Sequence, residues 1–271
     1  MPRAWDINVV DSLLAHGQTA VTTDQSAELL GVPVDQVRAR MRPLVRDGRV
    51  FSPARGLWVA VPPEYRAWRV IPWVQFIDPM MSHLGRDYYI GWLSAAEMYG
   101  AAHQRPQVLQ VAVDDHLPDR DVERVRPRFA ERRRLTELAR VRRNVPTGQV
   151  WVSTPEVTAL DLAADPPRGG GVSNVATVLI ELADEDQLDA ARLADAAEHF
   201  SLAAVRRLGY LLDVTGQHAL AEPLHQLAER RRNFPPDLLA PGSGDRGDVD
   251  GRWRVRANTN VEPDLWPPPR Q

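Results

Sequence analysis

The sequence contains no cysteine and no lysine. Without cysteine, the chain cannot form disulfides, use a thiol nucleophile or bind zinc through thiolates. The 33 basic residues are all arginine, which also excludes sites that require a lysine, such as the PD-(D/E)xK nuclease centre. No apolar run approaches the roughly 18 residues of a membrane span, and the N-terminus lacks the apolar segment of a signal peptide. We therefore expect a cytoplasmic protein.

The remaining composition is that of an ordinary globular protein. Of the 271 residues, 44% are hydrophobic and 25% are charged, and the formal net charge is −3. The length fits one large or two modest domains. A charge balance this close to zero is not that of a nucleic-acid coat protein, so information about partners must come from local charge.

The first 60 residues have the pattern of three helices followed by a hairpin. Apolar residues recur at helical spacing over 5–16, and a second helix starts at a threonine cap and extends to about residue 30. A third helix extends from about residue 34 to 42 or beyond. Two short β-like runs, 49–52 and 57–60, follow it and are joined by a turn. This order predicts a winged helix-turn-helix over residues 1–62.

Three residues at characteristic offsets support the helix-turn-helix. Ala27 allows close packing of the second helix, Gly31 provides positive φ in the turn, and Val37 anchors the third helix. Four more apolar residues are expected to complete the buried face: Leu29, Leu30, Val34 and Met41. Pro43 conflicts with this pattern, because proline inside a helix costs about 3 kcal/mol. We therefore expect the third helix to kink or end near Arg42.

The same segment is locally basic. Between Pro33 and Trp58, six arginines occur with only two acids, and Arg and Gln are the usual residues that bind guanine and adenine edges. The residues predicted to contact DNA are Thr22, Thr23, Gln36, Arg38, Arg40, Arg42, Arg46, Arg49 and Arg55. Two other interpretations stay open. Such three-helix units also serve as protein-interaction modules, and an arginine-lined helix is often only a solvated face.

Residues 64–271 are predicted to form a larger mixed α/β domain with a helical C-terminal half, so that the fold class is α+β. Residues 108–113 have the pattern of a buried strand. A serine or threonine cap before Pro155 starts a helix that extends to about Ala164, and three or four helices follow it. The last residues, 266–271, are expected to be flexible.

Charge is also uneven in the second domain. Residues 120–143 hold ten arginines and four acids. They include a second candidate basic patch: Arg124, Arg126, Arg128, Arg132, Arg133 and Arg134. This patch is either a further phosphate contact, on DNA or RNA, or a solvated surface with its own ion pairs. Residues 181–198 hold seven acids and one arginine, which indicates either a surface for a basic partner or a solvated helix.

Several stretches resemble the AbiEi family, the antitoxins of type IV toxin–antitoxin systems and of abortive phage infection. In the first domain the resemblance lies in Pro53–Trp58, a basic, glycine-containing wing that ends in an aromatic residue. In the second domain it lies in six stretches, whose order and spacing are more specific than any one alone. These are 91–100, 108–113, 152–162, 207–212, 253–255 and 262–265.

The resemblance implies two functions on one chain. The winged helix would bind inverted repeats in double-stranded DNA at its own promoter and repress it. The second domain would neutralise a nucleotidyltransferase-like toxin encoded nearby. We expect no catalytic residue, no metal site and no cofactor. Two alternatives remain: a nucleic-acid-modifying enzyme that the winged helix delivers to its substrate, and a transcriptional regulator that senses a small ligand.

Overall fold

The computed structural model describes residues 4–102, 108–118, 126–184, 187–230 and 233–264. Contacts group the chain into two units. The first comprises Met1–Tyr89, Gln107–Leu135 and Arg142–Trp151, and the second comprises Ile90–Pro106, Thr136–Val141 and Val152–Gln271. The N-terminal residues therefore share a unit with later segments, and the division of function between residues 1–62 and 64–271 stays a prediction. The tail 266–271, predicted to be flexible, lies outside the described residues.

The first unit begins with three helices and a small antiparallel sheet. Their bounds are α1 (Ala4–Ala15), β1 (Ala20–Thr22), α2 (Thr23–Leu30), α3 (Val34–Arg46), β2 (Val50–Ala54) and β3 (Leu57–Ala60). The strand order is β1-β3-β2, so that β3 lies in the centre and pairs with both neighbours. Val37, Met41 and Leu44 of α3 are buried together with Ala27 and Leu30 of α2. The two helices thus share one core.

Local sequence signals set the two ends of α2. The Thr22 side chain accepts a hydrogen bond from the Gln25 backbone N–H, and the Gln25 side chain accepts one from the Thr22 N–H. This reciprocal pair satisfies two backbone donors that the first turn would otherwise leave free. At the other end Gly31 has a φ of +60°, a conformation that glycine adopts without steric cost. The predicted threonine cap and glycine turn are both confirmed.

Two apolar residues that were expected in this core are exposed instead. Leu29 is 48% and Val34 is 51% exposed. Helical spacing places them beside the buried stripe, but the space between the helices is already filled by Leu30 and Val37, which are 4% and 0% exposed. The prediction of a buried position is therefore wrong for Leu29 and Val34 and right for Leu30 and Met41.

The third helix does not end near Arg42. It continues through Pro43 to Arg46. Proline removes one helical hydrogen bond, but Met41 and Leu44 on either side of it are only 4% and 1% exposed. Burial of these two side chains against the core stabilises the helix by about 3 kcal/mol or more, which outweighs the cost of the proline.

A five-stranded sheet follows in the chain. After α4 (Ile77–Leu84), its strands are β4 (Tyr88–Ile90), β5 (Val108–Val113), β6 (Arg126–Glu131), β7 (Arg140–Val145) and β8 (Gly148–Ser153). The strand order is β6-β5-β4-β8-β7, so that β6 and β7 are the two edges. β5 pairs in parallel with β6, and its last four residues are buried. The predicted buried strand is confirmed.

The second unit is mainly helical. Its elements are α5 (Trp92–Met98), α6 (Pro155–Ala164), α7 (Val172–Asp184), α8 (Ala190–Ala197), α9 (Leu202–Val214), α10 (His218–Glu229), β9 (Asp237–Leu238) and β10 (Val255–Arg256). α6 packs against α5, α7, α8 and α9. Of the two candidate caps, Ser153 and Thr154, it is Thr154 that accepts from the Val157 N–H, and the helix ends at Ala164 as predicted. The mixed α+β class is confirmed.

α9 is fixed by close contacts inside this unit. Gly209 faces the ring of the buried Trp253, and a Cβ at Gly209 would overlap that ring. The Trp253 Nε1–H donates to Asp213 Oδ2 at 2.7 Å. Arg207, which is 8% exposed, donates to the carbonyl oxygen of Ala163 at 2.8 Å and so ties α9 to the end of α6. Among all the described residues, no helix has the length and apolarity needed to cross a bilayer.

Candidate nucleic-acid interface

The outer side of α3 is polar and basic. Its buried stripe faces the core, which leaves the opposite side of the helix to solvent. The exposed residues predicted to contact DNA are Gln36, Arg38, Arg42 and Arg46. Arg40 is half-buried beside the stripe, and Asp35 is the only acid in the helix. The face is therefore net positive, and its planar guanidinium groups present the forked donors that bind phosphates and base edges.

The turn between β2 and β3 consists of Arg55 and Gly56 and is held at both residues. Gly56 has a φ of +84°, and its carbonyl oxygen accepts from the Thr23 backbone N–H at 2.8 Å. The Arg55 carbonyl oxygen lies 2.9 Å from His83 Nε2. Since a carbonyl only accepts, this nitrogen carries the proton. The turn is thus fixed to α2 and to α4, while Arg55 is exposed.

The sequence did not predict that His83 helps to hold the turn between β2 and β3. This histidine belongs to the last turn of α4 and is separated from Arg55 by 28 positions in the chain. A lone histidine on a short helix carries no sequence signal that links it to a turn so far away. Only the packing of α4 beside the hairpin brings the two residues together.

The two threonines predicted to contact DNA use their hydroxyls inside the protein. Thr22 caps α2 through its bond with Gln25. The Thr23 hydroxyl accepts from Trp58 Nε1 at 3.2 Å and donates to the Gly56 carbonyl oxygen at 3.2 Å. Both side chains therefore position the start of α2, and Thr23 also fixes it to the hairpin.

Arg46 and Arg49 differ in their surroundings. Arg46 Nε lies 3.5 Å from Asp47 Oδ1, and its side chain is 67% exposed. Arg49 Nη1 lies 3.8 Å from Asp11 Oδ1 of α1, and its side chain is only 22% exposed. The structure therefore places Arg46 with the exposed residues of α3, whereas it holds Arg49 against α1.

The described arginines between residues 126 and 143 are distributed over both edges of the five-stranded sheet. β6 and β7, which carry many of them, are the opposite edges of the five-stranded sheet. In the second candidate patch, Arg124 and the side chain of Arg126 lie outside the described residues. Of the other four, Arg128 and Arg132 are half-buried, and Arg133 and Arg134 are exposed. Arg132 Nε also donates to the Tyr89 hydroxyl at 3.3 Å.

A further arginine of this segment is engaged within the first unit. Arg142 Nη1 of β7 lies 2.7 Å from Asp78 Oδ1, and its guanidinium stacks 4.4 Å from the centre of the Trp151 ring. The Tyr88 hydroxyl donates to the same Asp78 oxygen at 2.8 Å. Burial, and then the neighbouring charge of Asp78, raise the pKa of Tyr88 well above its ordinary value. This hydroxyl therefore stays a donor, and the cluster fixes β7 to α4.

Part of the acidic segment 181–198 makes contacts within the protein. Asp189 accepts from the Arg192 backbone N–H at 2.8 Å and caps α8. Arg192 Nε in turn lies 3.2 Å from the buried Glu156. Residues 185 and 186 lie outside the described part of the chain. Within that described part, no group of three or more His, Asp or Glu side chains is arranged to hold a metal ion.

Part of the chain matches a described protein family. Residues 89–214 match the model of the AbiEi antitoxin C-terminal domain. These residues form an AbiEi antitoxin C-terminal domain. The AbiEi domain extends into α9 and includes four of the stretches on which the resemblance rests. The resemblance to AbiEi antitoxins is thus confirmed. The AbiEi family is regulatory and non-enzymatic, which agrees with the expectation that the chain is not an enzyme.

The fold that carries the AbiEi domain also occurs in a solved structure. The crystal structure of the RV2827C protein from Mycobacterium tuberculosis aligns with a TM-score of 0.70, over 94% of this chain and 92% of that chain. The two sequences are 18% identical, so the likeness concerns the fold alone. No curated protein matches the sequence.

Proposed function

We propose that this antitoxin is also a DNA-binding autorepressor, with α1 to β3 as its winged helix-turn-helix. One observation carries the proposal, namely the exposed basic face of α3 beside the short β2–β3 hairpin. Three helices, a small three-stranded sheet and a basic helix face are the parts from which such a domain is built. In this arrangement α3 is the recognition helix and the β2–β3 hairpin is the wing.

The exposed residues divide into two roles in this proposal. Gln36, Arg38 and Arg42 approach base edges in the major groove, where bidentate donors distinguish guanine and adenine. Arg46 and Arg55 contact the phosphates on either side, which orient the protein without sequence preference. Three other residues do not contact DNA in this proposal but hold α2 and the wing turn in place: Thr22, Thr23 and His83. The ion pair of Arg49 with Asp11 holds α1.

Two finer features of the proposal come from the AbiEi resemblance. The operator would be an inverted repeat upstream of the chain's own gene, occupied by two copies of the winged helix. The toxin would resemble a nucleotidyltransferase and be encoded next to it. The AbiEi match supports an antitoxin role in general, and the chemistry of the toxin is part of the proposal.

The DNA-binding part is tested with the full-length chain and a duplex from the region upstream of its gene. We expect specific binding that exceeds binding to a shuffled duplex by about 1,000-fold or more. Because phosphate contacts release counterions, the logarithm of the affinity should fall linearly with the logarithm of salt concentration. Fluorescence anisotropy at several salt concentrations measures both. Equal affinity for the shuffled duplex would refute operator recognition.

The antitoxin part is tested by co-expression with the neighbouring gene. We expect the full chain to restore growth, and the double variant Arg38→Ala/Arg42→Ala to restore it equally well. Point variants are preferred to deletion of residues 1–62, because those residues share a unit with residues 107–135 and 142–151. If the folded double variant failed to restore growth, the proposed division between DNA binding and toxin neutralisation would be wrong.

A further inference from the structure

The first unit contains a cleft of about 610 Å³ beside the helix-turn-helix. A volume of this size lies within the range of roughly 300 to 1,000 Å³ that small-molecule sites occupy. The cleft is lined by α2, by the start of α4 and by the β7–β8 hairpin. The loop before β1 lines it as well. All of these segments belong to one unit.

Leu29 forms an apolar part of the α2 wall. Its helical spacing is that of a core residue, yet it is 48% exposed and lines the cleft. Val74 and Val145 line the same space from the segment before α4 and from β7. Apolar side chains that gather around an open cleft rather than in the core favour a ligand with an apolar body.

The charges that line the cleft have one sign. Glu28 and Asp78 are the only charged residues among the lining residues of the described chain, although the sequence contains 33 arginines. Asp78 already binds Arg142 and the Tyr88 hydroxyl through Oδ1. Glu28 is exposed on α2 and supplies the charge that a ligand would meet. This distribution disfavours anions and favours a ligand with a single positive charge.

Three residues that line the cleft are joined by hydrogen bonds. The Gln75 carbonyl oxygen accepts from the Thr147 hydroxyl at 2.7 Å and from the Thr19 hydroxyl at 3.4 Å. Gln75 thereby joins the β7–β8 turn to the loop that precedes β1. These hydrogen bonds within the protein hold the lining segments in place, which lowers the entropic cost of binding.

We propose that this cleft binds a small organic monocation with an apolar body. Its ammonium or amidinium group lies near Glu28, and its apolar part packs against Leu29. A ligand in this position connects α2 to the β7–β8 hairpin. Because α2 holds the wing turn through Thr23, an occupied cleft changes the affinity for DNA. This regulatory effect rests on the proposed DNA binding, whereas binding of the cation does not.

Three probes that share an aromatic body separate charge from shape: 2-phenylethylamine, 2-phenylethanol and phenylacetate. Each is titrated into the full-length protein and followed by NMR shifts or calorimetry without DNA. We expect the amine to bind with a Kd of about 1 mM or tighter. It should bind about fivefold more tightly than the alcohol, because the negative charge of Glu28 attracts it. Phenylacetate should bind least, because the same charge repels it.

A pair of variants on α2 tests the position of the charge. Glu28→Gln should lower the affinity for the amine about fivefold and leave the affinity for the alcohol unchanged, since only the charge is removed. The control is Asp24→Asn, which removes a charge from the first turn of the same helix but does not line the cleft. Equal binding of the three probes, no binding of the amine at about ten times that Kd, or an unchanged amine affinity in Glu28→Gln would each overturn the proposal.

The regulatory effect has its own readout. We expect saturating 2-phenylethylamine to change the affinity for the upstream duplex by about threefold or more in the wild type. The same amine concentration should have little effect in Glu28→Gln. If the amine binds and the DNA affinity does not change, the regulatory effect is refuted while the cation site stands. If the duplex is not bound even without amine, the proposed function fails instead.

Discussion

Gly209→Ala is expected to lower the free energy of unfolding by about 2 kcal/mol. The added Cβ would overlap Cη2 and Cζ3 of the Trp253 ring. That ring is 1% exposed and is anchored by its hydrogen bond to Asp213, so it cannot move aside without losing the bond. Overpacking of this kind costs about 3 kcal/mol, and the higher helix propensity of alanine offsets about 1 kcal/mol of it.

Thermal and urea unfolding measure this loss. A change of this size lowers the Tm of a chain this long by about 6 °C. Gly251→Ala is the matched control, because a Cβ at Gly251 meets no atom within 4 Å in the described chain. A Gly209→Ala protein as stable as the wild type would show that Trp253 does not pack on α9 as described.

Arg38→Ala/Arg42→Ala is expected to weaken binding to the upstream duplex by about 100-fold or more. Each side chain is exposed on the outer face of α3, and loss of one arginine from a base edge costs about 1 to 3 kcal/mol. Both substitutions lie outside the core, so the Tm should change little. The loss should be larger for the upstream duplex than for a shuffled one, because base contacts distinguish the two.

The control for this double variant removes the same charge elsewhere. Arg230→Ala/Arg246→Ala eliminates two exposed arginines of the second unit. Anisotropy titrations of both variants at equal salt separate a local contact from a change in net charge. Equal weakening by the two double variants would contradict the assignment of α3 as the recognition helix.

Helix ends were predictable from the sequence because their signals are local. Thr22 with Gln25, Gly31, and Thr154 before Pro155 each act within four residues of the helix end that they define. The third helix was harder, since the penalty at Pro43 is local but the burial that outweighs it comes from another helix. The proline therefore predicted a break that packing against the core prevents.

Features that depend on distant segments were not predictable. Periodicity placed Leu29 on a buried face, but it does not tell which neighbour fills the space, and Leu29 lines a cleft instead. The arginines of residues 120–143 are close in sequence, yet β5, β4 and β8 separate β6 from β7 in the sheet. Strand order arises from pairing across the whole chain, so charge counted along the sequence does not tell which arginines share an edge of the sheet.

The Arg55–Gly56 turn has a thermodynamic consequence for the proposed operator complex. Its two carbonyl groups are bonded to α2 and to α4 in the free protein. A loop that DNA had to order would lose conformational entropy on binding, about 1 to 2 kcal/mol for each residue fixed. This wing carries almost none of that cost, because folding of the first unit has already ordered it. Contact of Arg55 with a phosphate therefore costs only the conformational freedom of its own side chain, about 2 kcal/mol, and not that of the turn.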